Sequence, residues 1–140
     1  MKKIIPVLLL VLLVAAGVWL IQSYAKDRLD SSIKQFHRDS DSLIRGLQQY
    51  KEFVGNYPQG DLIAINKALS GQGKESKAII LAGGNDRKNS KGEIVDPWGT
   101  PLQFYFSHNA VMIRSAGPNK LFEDSLVFGS DDLIRTDVEK

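Results

Sequence analysis

Residues 96–113 read Asp-Pro-Trp-Gly-Thr-Pro-Leu-Gln-Phe-Tyr-Phe-Ser-His-Asn-Ala-Val-Met-Ile, and this stretch decides the fold. Its second half holds two runs of aromatic and branched residues, Leu102 to Phe106 and Val111 to Ile113, parted by the polar Ser107-His108-Asn109-Ala110. That pattern predicts an antiparallel hairpin with a short turn. Its first half is a corner. Pro97 fixes its own backbone and biases Asp96 toward an extended form. Gly99 permits a sharp turn, Trp98 is expected to plug the gap between helix and sheet, and Pro101 stiffens the strand entry. Asp96 is placed to accept hydrogen bonds from the turn amides. The motif residues Asp96, Pro97, Trp98, Gly99 and Pro101 therefore read as structural rather than ligand-binding.

Upstream of the corner the period changes. Leu29, Ile33, Phe36, Leu43, Ile44, Leu47, Tyr50 and Val54 recur at spacings of three, four and seven, which makes one apolar stripe on a helix. Gly55-Asn56-Tyr57-Pro58 ends it. Leu43 to Val54 should pack on the head, and the turns bearing Asp27, Arg28, Asp30, Lys34, Arg38, Asp39 and Asp41 read as an exposed stalk. A polar break at Ser40 weakens the case for a coiled-coil partner. Asp61 to Leu69 predicts a second short helix closed by Ser70-Gly71-Gln72-Gly73. Lys77 to Leu81 is a short apolar stretch, and Gly83 to Gly92 a polar loop with no phosphate-loop context. A final segment, Leu126 to Ile134, is expected to add short strands around Gly129. The fold class is α+β, a long helix packed on a small antiparallel sheet.

At the other end, Ile4 to Ile21 is an uncharged run of 18 residues behind Met1-Lys2-Lys3. As a helix it would span roughly 27 Å, close to a hydrocarbon core. Lysines before the run, a mixed Lys26-Asp27-Arg28 after it, and Trp19 and Tyr24 near its outer end favour a single pass with the domain outside. The rival is a signal peptide cut after Ser23-Tyr24-Ala25, although the run exceeds the usual signal core of about 7–15 residues. The organisation is thus an anchor or signal peptide over 1–25, a stalk and core helix over 26–54, and a head over 55–140.

Composition excludes several classes. With Lys2 and Lys3 set aside, 16 basic residues face 16 acidic ones, so the folded part is neutral and lacks the basic balance of a nucleic-acid binder. Residues 26–91 carry 12 basic and 8 acidic side chains, whereas 92–140 carry 4 and 8. The acidic half suits a cation or a basic partner, and equally a solvated surface. Cysteine is absent, which excludes disulfides, thiol catalysis, zinc–thiolate sites and a lipoprotein anchor.

Three features in order bring a family into view. Tyr50 to Val54 followed by Gly55-Asn56-Tyr57-Pro58 is similar to the end of a long pilin helix. Asp96-Pro97-Trp98-Gly99-Thr100-Pro101 resembles the Asp-Pro-Trp-Gly-x-Pro signature of the major (G-type) pseudopilins of type II secretion. Ser115-Ala116-Gly117-Pro118-Asn119, with Gly129-Ser130-Asp131-Asp132-Leu133 after it, resembles that family's closing motifs. The resemblance covers residues 43 to 135 and implies a pilin-like head on an inner-membrane anchor, facing the periplasm, in a protein-secretion or pilus machine. It also implies a calcium site. By position, Asp131 and Asp132 match the acidic pair, Asn119 stands where aspartate is usual, and the Ala116 carbonyl falls at a backbone ligand. Glu123 and Asp124 lie in the longer intervening stretch and offer further carboxylates, and calcium takes six to eight hard oxygens.

The chain departs from that pattern at its start. The resemblance implies a basic leader ending in glycine, then a start like Phe-Thr-Leu-x-Glu whose glutamate registers subunits. Here Gly17 is followed by Val18-Trp19-Leu20, and the first acidic residue is Asp27. The expected function is a structural or assembly component, with self-association and secretion-system or pilus subunits as partners. The alternative is a membrane-tethered binding module outside any filament. No enzyme is expected. His37 falls on the stalk helix and His108 in the hairpin turn, and neither has nucleophile or metal-ligand spacing.

Overall fold

A computed structural model describes residues 4–72, 87–123 and 129–137. By internal contacts the chain divides into two units, Met1–Ser32 and Ile33–Lys140. Helix α1 runs over Ile4–Val54, α2 over Leu62–Leu69, and three strands follow: β1 Gln103–Phe106, β2 Val111–Ser115 and β3 Leu133–Thr136. The strands form one antiparallel sheet in the order β1-β2-β3. The α+β architecture is the expected one.

In the first unit, Leu9 to Val14 and Val18 to Ile21 are exposed apolar side chains. Among the described residues this is the one helix long and apolar enough to cross a membrane.

In the second unit, the later turns of α1 supply Phe36, Leu43, Ile44 and Leu47 to a core shared with Tyr57, Ile65, Leu69, Ile94, Leu102, Val111 and Ile113. Packing starts earlier than the expected Leu43. Phe36 and Ser40 are fully buried, and Asp41 meets the Arg135 guanidinium at 2.6 Å, so these turns belong to the head rather than to an exposed stalk. Gly46 is buried and lets Leu69 of α2 close on α1, with a Leu69 methyl 3.4 Å from where a Cβ would stand. Gly55, at φ +91°, ends α1 and donates to the Lys51 carbonyl. Asp61 caps α2, its carboxylate accepting the Ala64 amide at 2.8 Å.

The expected hairpin forms, with Phe104 opposite Ile113 and Phe106 opposite Val111. Alternate residues of β2 (Val111, Ile113, Ser115) are buried, as the strand period requires. Three expectations are corrected. The closing strand lies at Leu133–Thr136 rather than across Leu126 to Ile134, since its register follows non-local pairing of Leu133 with Ser115. Residues 126–128 lie outside the described residues, as do Lys77 to Leu81 and the start of the Gly83 to Gly92 loop. The end of that loop is not irregular: Lys88 pairs with Ile94 around a turn closed by the Gly92 amide on Asn89. Trp98, the expected plug, is only partly buried and stands outside the core cluster, where Ile94, Leu102, Phe104 and Tyr57 fill the space.

Candidate metal centre

The corner holds its shape through one carboxylate. Asp96 is 2% exposed, and its Oδ1 accepts the Trp98 and Thr100 amides at 3.0 and 2.8 Å. Its backbone closes the same turn, with Gly99 donating to the Asp96 carbonyl and Asp96 to that of Thr100. Strand β2 leaves this corner's neighbourhood through Ser115 into the turn at residues 116–120. There Gly117 adopts φ +66°, and Lys120 donates to the Gly117 carbonyl. A Cβ at Gly117 would overlap the Asp131 carbonyl, whose carbon lies 2.9 Å from that position. Only glycine allows this approach of residue 117 to residue 131.

Close packing there brings three carboxylates together. One oxygen from each of Glu123, Asp131 and Asp132 lies within 4.8 Å of the others. The remaining oxygens of the two aspartates are already engaged. Asp131 Oδ2 accepts the Asn119 amide at 3.0 Å, and Asp132 Oδ2 accepts Arg114 Nε at 2.6 Å and the Glu123 amide at 3.3 Å. A second Arg114 nitrogen also meets Asp132 Oδ2 and donates to the Glu123 carbonyl. Burial acts to lower the Arg114 guanidinium pKa, but hydrogen bonding to Asp132 and Tyr105 outweighs it and raises the pKa above its ordinary value. The arginine is therefore a fixed positive charge on the outer side of Asp132.

What is left is chemically telling. Among the described residues, Glu123 Oε2, Asp131 Oδ1 and Asp132 Oδ1 are buried oxygens with no hydrogen-bond partner, and the Asp132 side chain is only 5% exposed. Two such charges at this separation repel by roughly 3 kcal/mol at an effective dielectric near 20. Buried acceptors are normally satisfied. Among the described residues, three carboxylates against one guanidinium leave a formal charge of about minus two, which a divalent ion would neutralise. The donors are all hard oxygens, the set that calcium and magnesium take and that zinc or copper sites seldom use alone. This cluster can bind a metal ion.

Asp131 and Asp132 thus meet as the sequence suggests. Glu123 completes the set, although it lies eight positions upstream of Asp131 and becomes a neighbour only through loop closure. The Asn119 amide oxygen accepts the Leu121 amide at 2.7 Å and shapes the turn. Ala116 is fully buried at the base of the loop. Asp124 lies outside the described residues. Asp137 is a tie that sequence reasoning missed. Its carboxylate accepts the Val111 amide at 2.8 Å and Gln48 Nε2 at 3.0 Å, binding the end of β3 to β2 and α1. His37 sits on α1 beside Phe36, and His108 lies in the hairpin turn, where its carbonyl accepts Lys51 Nζ. No family model matches this chain, and no curated protein or solved structure matches it.

Proposed function

We propose that this chain is a structural or assembly component of the pseudopilin kind, anchored by one pass in a cell inner membrane with a periplasmic head that binds calcium. One observation carries the reading. Asp131 and Asp132, the pair that the resemblance designates, cluster with a third carboxylate, and each of the three has a buried oxygen without a partner among the described residues. An exposed apolar helix at the N-terminal side and an α+β head behind it fit the same role. In this reading calcium joins Glu123 to Asp131 and Asp132 and stiffens the head surface. No catalytic residue is assigned, and the partners are secretion-system or pilus subunits and other copies of the chain.

Calorimetric titration of the full chain in detergent with calcium chloride tests the ion. Heat of binding and a higher thermal midpoint are expected, both lost in Asp132→Asn, whose neutral amide removes one of the three charges. Neither heat nor stabilisation in the wild-type protein would sink the site. Co-purification from the membrane fraction tests the assembly role, with secretion or pilus subunits expected in the eluate. A second reading has an observation of its own. Ile4 to Ile21 carries no glutamate to register a subunit, which favours a tethered binding module outside a filament. Dependence of processing on prepilin peptidase separates the two, and an unprocessed N-terminus by mass spectrometry favours the tethered module.

A further inference from the structure

A chain of hydrogen bonds runs from the corner motif to Gly117, which packs against the acidic cluster. Asp96 uses Oδ1 for its own turn and keeps Oδ2 for the Ser115 hydroxyl, which donates to it at 2.6 Å. With its proton committed, the hydroxyl accepts the Gly117 amide at 3.0 Å. Ser115 is fully buried and Asp96 nearly so, so no water competes for these contacts. Gly117 in turn packs against the backbone of Asp131, one of the three clustered carboxylate residues.

We propose that Asp96 and Ser115 are positioning residues for the cation site. The carboxylate orients the hydroxyl, the hydroxyl fixes the Gly117 turn, and the turn sets where Asp131 stands relative to Asp132 and Glu123. Neither Asp96 nor Ser115 is a ligand. The proposal rests on the cation reading above and explains what the corner contributes to it. Residues that orient metal ligands typically govern affinity by about 10- to 100-fold. Coupling of this kind is reciprocal, so a bound ion should also tighten the corner.

The test uses the full chain in detergent with calcium chloride as the probe. Calcium Kd is measured by calorimetry for the wild type, Ser115→Ala and Asp96→Asn, and the thermal midpoint of each is taken in excess chelator. About tenfold weaker binding is expected in both variants. A merely structural role would lower the chelated midpoint and leave Kd unchanged. Should the variants fail to fold, hydrogen exchange on the wild type decides. Calcium should slow the amides of Trp98, Thr100 and Gly117, the three held by Asp96 and Ser115. Wild-type protein that binds no calcium overturns the cation reading and the proposal together. Calcium binding that is equally tight in folded variants, or exchange at those amides unmoved by calcium where the variants do not fold, overturns the positioning role alone.

Discussion

Two residues show how a single side chain is constrained by what surrounds it. Gly117 stands at φ +66° with Asp131 against it, so an alanine there meets both a left-handed backbone and an overlap. The first costs roughly 1–2 kcal/mol, and the second forces residue 131 away from its neighbours. Gly117→Ala is therefore expected to weaken calcium binding more than it lowers the chelated thermal midpoint, read by titration and melting of one preparation. Asp39 is governed by burial, which raises its pKa, while Arg87 and Arg38 oppose the rise without cancelling it. A carboxyl raised in the folded state contributes stability fully present below its unfolded pKa and lost as pH climbs through the folded value. Asp39→Asn removes that loss. Its stability gain should be largest at neutral pH and vanish as the pH falls below the ordinary carboxylate range, measured as urea midpoints across pH. At this scale the sequence was partly transparent. Asp131 and Asp132 stand out because they are adjacent. Glu123 is named there only beside Asp124 as a further carboxylate, because nothing in the sequence shows which of the two comes to lie beside the pair. Trp98 misleads because its bulk suggests a core position that Ile94, Leu102 and Phe104 already fill.

Elements were more legible than single sites because burial leaves a period in the sequence. The hairpin could be read from the aromatic and branched runs Leu102 to Phe106 and Val111 to Ile113 parted by a polar turn, and the end of α1 from Gly55 to Pro58. Strand β3 was read too early, since Leu133 to Thr136 has mostly exposed side chains and no alternation to mark it. Ser40 looked like a polar break in the helix stripe, yet it is fully buried beside Phe36, because position on the helix decided its burial. The same helix provides a contrast. Leu47 is fully buried and Phe53, six positions on, is 72% exposed. Leu47→Ala should cost about 2–5 kcal/mol through lost transfer energy and the cavity it leaves. Phe53→Ala should stay within about 0.5 kcal/mol. Urea denaturation of the two variants beside the wild type checks both, and equal effects would mean that the helix face is wrongly assigned.

For the whole molecule, the informative contrast is between the exposures of its two units. Ile33–Lys140 buries an apolar core and exposes only scattered large apolar side chains such as Phe53 and Leu121, whereas Met1–Ser32 leaves Leu9, Leu10, Leu12, Leu13 and Leu20 each at least 58% exposed. A soluble protein rarely carries so long an apolar surface without something covering it. A bilayer would cover it at no cost to the helix, whose backbone bonds are satisfied internally. Charge is the sharpest probe of that environment, because an arginine at the centre of a membrane helix costs about 2.5–3.5 kcal/mol on the insertion scale. Leu10→Arg combined with Leu13→Arg is therefore expected to move the protein out of the alkali-resistant membrane pellet. Residues 33–137 should keep their fold, because none of the core residues lies on this segment. The matched control, Leu10→Ala with Leu13→Ala, keeps the helix apolar and should remain in the pellet. If the arginine pair stays as firmly bound as the control, the apolar run is not what holds this chain to a membrane.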